Sequence, residues 1–148
     1  MLLKKLKIKL RIICKNNEWN FDLAILHPPY ADIIKFSDKK EDLLNCKSID
    51  EFLNWFEKVV QNTYYLLKKW WYCVVVIWDK YQNSEWIPLG FKCMERAQNV
   101  RFKLKSIIVK NMEWNRWKIG SGWIWKYRAL ASDYYLFKHE YILVFKKG

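Results

Sequence analysis

The apolar run Phe21-Asp22-Leu23-Ala24-Ile25-Leu26 is closed by His27-Pro28-Pro29-Tyr30, and this junction constrains the fold more than any other stretch. A run of that length reads as a buried strand, and the first proline stops it. Consecutive prolines force a stiff, extended exit in which Pro28 and Pro29 offer carbonyls but no N–H donors. The aromatic ring of Tyr30 then follows at the strand's carboxyl edge, where open α/β sheets hold their ligands. A stiff turn carrying acceptors and one flat ring suits a pocket that grips a planar base by its amino group. A Pro-Pro turn that only closes a strand is the plainer reading of the same residues.

The remaining periodicities build an α/β pattern around that strand. Lys7 to Ile13 alternates Lys or Arg with Ile and Leu, a period of two that predicts a half-buried strand. Ser48 with Glu51 forms a capping box, and Phe52, Phe56, Val59, Val60, Tyr64 and Leu67 follow at helical spacing. That helix is expected to end near Lys68-Lys69, whose charges suit a helix carboxyl terminus. Tyr72 to Ile77 is continuously apolar and β-branched, as in a parallel strand covered on both faces. A shorter helix is predicted over Phe91 to Asn99, a strand over Phe102 to Val109, and paired strands over Tyr134 to Phe137 and Tyr141 to Phe145. The aromatics Phe52, Phe56, Tyr64 and Tyr65 read as core. Strands alternating with helices argue for one α/β sheet with helices on its faces. Residues 110–128 stand apart as a basic, Trp-rich segment, read as a long loop.

Bulk properties narrow the class. With 148 residues, 52% of them hydrophobic, the chain has room for one domain and one core. The longest apolar run, Trp70 to Trp78, is too short to cross a bilayer. The alternating amino terminus carries no signal-peptide core, so a cytoplasmic protein is expected. Cys14, Cys46, Cys73 and Cys93 lie far apart without metal-ligand spacing, and read as reduced core thiols. A formal charge of +12 favours a polyanionic partner, above all nucleic acid, although solvated lysines alone would give the same count.

In this layout the chain resembles the amino-group DNA methyltransferases, which modify adenine N6 or cytosine N4. The matching pieces are Asp22 through Tyr30, Ile33-Ile34-Lys35-Phe36-Ser37, Leu67-Lys68-Lys69, Ile87-Pro88-Leu89, Trp125 through Leu130, and Phe137 through Lys146, in the family's order. The resemblance implies an α/β Rossmann-like sheet, mostly parallel with an antiparallel terminal strand. It implies methyl transfer from S-adenosylmethionine to the exocyclic amine of a flipped DNA base, as in restriction-modification systems. Tyr30 would stack on that base, a contact worth ~1–3 kcal/mol. The Pro28 carbonyl and the side chain at position 27 would accept from the amine, with Pro29 stiffening the corner. Other outcomes of the same resemblance are a noncatalytic nucleic-acid-binding remnant, or methylation of RNA or of protein amide nitrogen.

Two departures from the family pattern stand out. The family usually carries Asp, Asn or Ser at position 27, where this chain has His27. Neutral imidazole accepts one hydrogen bond and imidazolium none, so activity should fall as pH drops through about 6.5, the reference imidazole value. The second departure is the family's Gly-rich cofactor loop, which has no counterpart here. The glycines are Gly90, Gly120, Gly122 and Gly148, and none follows the first strand. The expectation is a partial methyltransferase domain over residues 1–148, with the cofactor motif lying upstream of Met1 or on a second subunit. Within it, Asp79 is the candidate for lining the cofactor side, although a turn-forming role suits it as well. Lys110, Arg116, Lys118, Lys126 and Arg128 are candidates for contacting DNA; a solvated basic face is the plainer reading.

Glycine and tryptophan usage is inverted. Average composition would give about ten glycines in a chain this long, whereas this one has four Gly and ten Trp. Trp70, Trp71, Trp78, Trp117 and Trp123 fall where family members carry Gly, with Trp19 and Trp114 as further cases. This pattern fits a gene in which the codon UGA stands for Gly; the other reading is a protein that is Trp-rich in its own right. A glycine at position 70 or 71 would supply the positive φ of a helix-ending turn, which Trp adopts poorly.

Overall fold

The computed structural model describes residues 21–28, 46, 48–112, 122–131 and 138–148. The expected strand over residues 7–13 and the segment 134–137 lie outside the described residues. The elements are β1 (Phe21–Leu26), α1 (Ile49–Leu66), β2 (Leu67–Ile77), β3 (Lys80–Gln82), β4 (Glu85–Ile87), α2 (Leu89–Asn99), β5 (Phe102–Asn111), α3 (Gly122–Ala131) and β6 (His139–Lys147).

The main sheet has the order β1-β2-β6-β5. β1 pairs parallel with β2, and β6 runs antiparallel to both β2 and β5. Three strands therefore share one direction and the chain's last strand opposes them, as the sequence predicts. β3 and β4 form a separate hairpin. Its two-residue turn, Asn83-Ser84, has φ of 53° and 60°, the positive values of a type I′ connection.

Helix α1 starts as its capping box predicts. The Ser48 hydroxyl accepts from the Glu51 N–H at 3.1 Å, and Asp50 and Glu51 place negative charge on the first turn. Phe52, Leu53, Phe56 and Val60 make its buried stripe, which packs with Leu89, Cys93 and Ala97 of α2. Both helices lie against one sheet face, carrying Ala24, Leu26, Cys73, Val75, Ile77, Leu143 and Phe145. Each fully buried Phe or Leu contributes roughly 1.5–3 kcal/mol of transfer free energy. Tyr64 packs edge-on to Phe102, but Tyr65 is 72% exposed, so its assignment to the core does not hold: it falls outside the buried stripe. Cys46, Cys73 and Cys93 are free buried thiols, and Cys14 lies outside the described residues.

The helix-to-strand junction differs from expectation. α1 ends at Leu66, and Lys68-Lys69 already belong to β2, so their charges do not serve the helix terminus. The Lys68 ammonium reaches across to Asp22 at 2.7 Å. Pairing jumps here from Phe21–Leu67 to Leu23–Tyr72. β2 thus spends extra residues in a bulge, and within it Trp70 has φ 71°. Left-handed backbone suits Gly and is a genuine outlier for a bulky aromatic residue.

The segment 110–128 is not one long loop. Lys110 and Asn111 complete β5, and residues 122–128 lie in α3. The β5 pairing with β6 extends to Asn111–His139, which carries the strand two residues past its apolar part. Among the described residues, no helix is long and apolar enough to cross a membrane.

Candidate active site

Strand direction brings the carboxyl ends of β1 and β2 side by side, because Leu26 pairs with Val75 in a parallel ladder. His27 and Pro28 follow directly on the last residue of β1, Leu26. Pro28 is buried, while His27 is exposed. The proline corner thus begins from a fixed point with an imidazole presented outward beside it. Pro29 and Tyr30 lie outside the described residues.

β2 ends one strand away at Trp78 and Asp79. Asp79 is 3% exposed, and its carboxylate meets three donors. Oδ1 accepts from the Gly90 N–H at 3.0 Å, and Oδ2 from the Trp86 indole at 3.1 Å and the Tyr141 hydroxyl at 3.4 Å. The reason lies in α2, whose N-cap is Pro88 and which has no side-chain cap of its own. The anion at the end of β2 supplies that cap from a distance and faces the positive end of the helix. The sequence suggests Asp79 for the cofactor side. Its acceptors are instead committed to holding α2, the β3–β4 hairpin and β6 together.

Tyr141 is the centre of this edge. A Cβ on Gly90 would come within 2.5 Å of its ring, so the helix can begin this close to β6 only with glycine at position 90. Burial raises the Tyr141 phenol above its ordinary value, and the charge and hydrogen bond of Asp79 push the same way. Its hydroxyl also meets His139 Nε2 at 3.1 Å, and the two rings contact edge to face. His139 and Glu140 are thus both held by side-chain contacts, since Glu140 is buried and paired with Lys110. Sequence reading does not single out Trp86, Gly90 and Tyr141 as a unit. The one local signal is Gly90, in a chain with few glycines, directly after Pro88 and Leu89.

The candidate DNA-contacting residues divide. Lys110 is exposed along its side chain, but its ammonium is engaged by the buried Glu140 directly across the strand pair. Lys126 is exposed on α3, and the Arg128 backbone belongs to the same helix. Arg116 and Lys118 lie outside the described residues. Among the described residues, no cluster of His, Cys, Asp or Glu could hold a metal ion. Nor does a Gly-rich turn follow either β1 or β2, where a cofactor's charged groups would need close backbone approach.

Comparison with known proteins agrees with this layout. A DNA modification methylase of Thermus thermophilus aligns with a TM-score of 0.61 and 17% identity over 93% of this chain and 49% of its own. The same protein in complex with S-adenosyl-L-methionine aligns at 0.60 and 18% identity, over 93% and 52%. The PvuII DNA methyltransferase, cytosine-N4-specific, aligns at 0.63 and 17% identity over 88% of this chain and 44% of its own. The chain therefore spans about half the length of the solved structures it matches. No curated protein sequence matches it. The family model described as DNA methylase, for the N6 and N4 enzymes, matches residues 21–148, and the chain belongs to that amino-methylating family.

Proposed function

We propose that this chain is the base-presenting part of a DNA amino-methyltransferase acting on adenine N6 or cytosine N4. The observation that carries the reading is the buried Pro28 with the exposed His27, held at the carboxyl edge of a methylase-type sheet. An exocyclic amine is a poor nucleophile because its lone pair is delocalised into the ring. Acceptors at the Pro28 carbonyl and the neutral His27 imidazole would hold its two hydrogens and draw the lone pair onto nitrogen. Attack is then direct, and no covalent bond between base and protein is required. Stacking on Tyr30, worth ~1–3 kcal/mol, offsets the few kcal/mol lost on extruding the base.

S-adenosylmethionine supplies an electrophilic methyl group when bound. The described residues do not form its cradle: neither described strand end carries a Gly-rich turn, and Asp79 is already committed. The cofactor is assigned to residues other than the described ones, and the partner substrate is DNA. The test is genetic. Deleting the gene from its host should erase N6-methyladenine or N4-methylcytosine from one sequence motif, read by single-molecule sequencing. A Tyr30→Ala copy should fail to restore the mark. Unchanged base modification after deletion would overturn the proposal and leave a noncatalytic nucleic-acid-binding protein, the reading that the charge of +12 favours.

A further inference from the structure

Cations and exposed rings gather at the end of the sheet opposite the proline corner. The pairs Phe21–Leu67, Tyr72–Lys146 and Lys103–Lys146 bring together the starts of β1, β2 and β5 and the end of β6. Lys68, Lys69, Arg101, Lys103, Lys146 and Lys147 belong to that end. Among the described strand residues there, Asp22 is the one carboxylate, and Lys68 holds it at 2.7 Å. The buried carboxylates Asp79 and Glu140 sit at the other end of the strands. Aromatic side chains are interleaved with the cations: Trp70 is 58% exposed, Trp71 44% and Tyr72 38%. Tyr65, 72% exposed, stands in the last turn of α1, just before β2 begins. Lys146 Nζ lies 5.5 Å from the Tyr72 ring centroid and 5.8 Å from that of Trp70. Lys69 Nζ lies 4.8 Å from the Trp70 centroid, and Lys68 Nζ 5.9 Å from that of Trp71.

We infer that this end of the sheet binds single-stranded nucleic acid, at a site separate from the proline corner and independent of methyl transfer. Lysines set along the strand ends suit successive phosphates, whose counterions they release. Exposed rings held beside them suit the faces of unpaired bases, which a duplex keeps stacked within itself. An apolar protein partner would force a row of ammonium groups out of water with no anion to meet them. The chain belongs to a DNA-methylating family, so nucleic acid is the polyanion it encounters; an anionic lipid surface is the competing occupant. Tyr65 and Tyr72 stand outside the codon question raised by Trp70 and Trp71. The patch therefore keeps rings beside its lysines under either reading of the gene.

The test is fluorescence anisotropy of the full chain with labelled dT and rU strands of about 16 nucleotides. A duplex of the same length and phosphatidylserine vesicles serve as competitors. Either strand should bind roughly tenfold tighter than the duplex, the worth of stacking one base, and the two strands tell DNA from RNA. Tyr72→Ala should weaken single-strand binding about 5- to 150-fold, and Tyr72→Phe should restore it. Lys69→Ala with Lys103→Ala and Lys146→Ala should lower the slope of log affinity against log salt by about 2, at roughly 0.7 for each phosphate contact. Lys58→Ala with Lys92→Ala and Lys138→Ala removes the same charge elsewhere and should leave that slope unchanged. The Trp70→Gly, Trp71→Gly chain should still prefer the single strand. Four results would overturn the inference. The duplex binds as tightly as the strands; or the two lysine triples lose equally; or Tyr72→Ala binds like the parent chain; or vesicles are preferred to either strand.

Discussion

Replacing Trp70 with glycine, and separately with alanine, isolates the cost of the left-handed backbone inside β2. Trp70 has φ 71°, and its ring is 58% exposed. The ring's contacts are cationic: Lys69 Nζ lies 4.8 Å and Lys146 Nζ 5.8 Å from its centroid. Either substitution forfeits those contacts, worth about 0.5–1 kcal/mol at an exposed site. They differ only in what happens at the backbone. An L-residue in the left-handed region costs about 1–2 kcal/mol, which alanine retains and glycine escapes. Glycine gives back about 0.4–1 kcal/mol through the greater freedom of its unfolded chain. Trp70→Gly should therefore be more stable than Trp70→Ala by about 0.5–1 kcal/mol, or roughly 1–4 °C in Tm for a domain of this size. Calorimetry of the two variants side by side measures the difference. Equal or reversed melting temperatures would refute the claim that the bulge is shaped for glycine. The same claim predicts UGA at positions 70, 71 and 78 of the gene, and UGG there would refute the codon reading.

Other outcomes follow from the edge around Tyr141. Asp79→Ala strands the buried Gly90 N–H, at roughly 1–3 kcal/mol for a donor left unsatisfied, while the Trp86 indole reaches solvent and the Tyr141 hydroxyl keeps His139. It should destabilise the chain by about 1–3 kcal/mol and lower the Tyr141 pKa, read by absorbance titration, because the Asp79 charge helps to raise it. Gly90→Ala should also destabilise, by roughly 1–3 kcal/mol, as its methyl group overlaps the Tyr141 ring. Burial raises the Cys73 thiol from 9.0 to about 12 and drives Cys93 up as well. The folded state then holds protons that the unfolded state releases, so stability is complete below pH 9 and declines as pH rises toward 12. Urea melts across that interval check the slope, and both thiols should resist a colorimetric thiol reagent in the folded chain.

Strand β1, its termination at Pro28, the start of α1 and the order of the larger elements were legible in the sequence because each rests on local chemistry. Apolar runs, a capping hydroxyl and a ring that lacks an N–H act within a few residues of themselves. The parallel direction of β1 and β2 and the opposed last strand were likewise implied by the family resemblance. Local signals misplaced what depends on a distant partner. Lys68 reads as a helix-end cation, yet Asp22 lies within its reach and the chain has already turned into β2. Lys110 reads as a DNA contact, yet the register between β5 and β6 sets it opposite Glu140. Asp79 reads as a turn or pocket residue, and only the approach of α2 to Tyr141 makes it a cap for a helix whose N-cap is proline. The ordered motifs, through the resemblance they carry, pointed to the family this chain belongs to, since those depend on residue type. Which carboxylate meets which donor, and which strand edge is left open, were decided by packing, since contacts between residues far apart in the chain exist only once the sheet has formed.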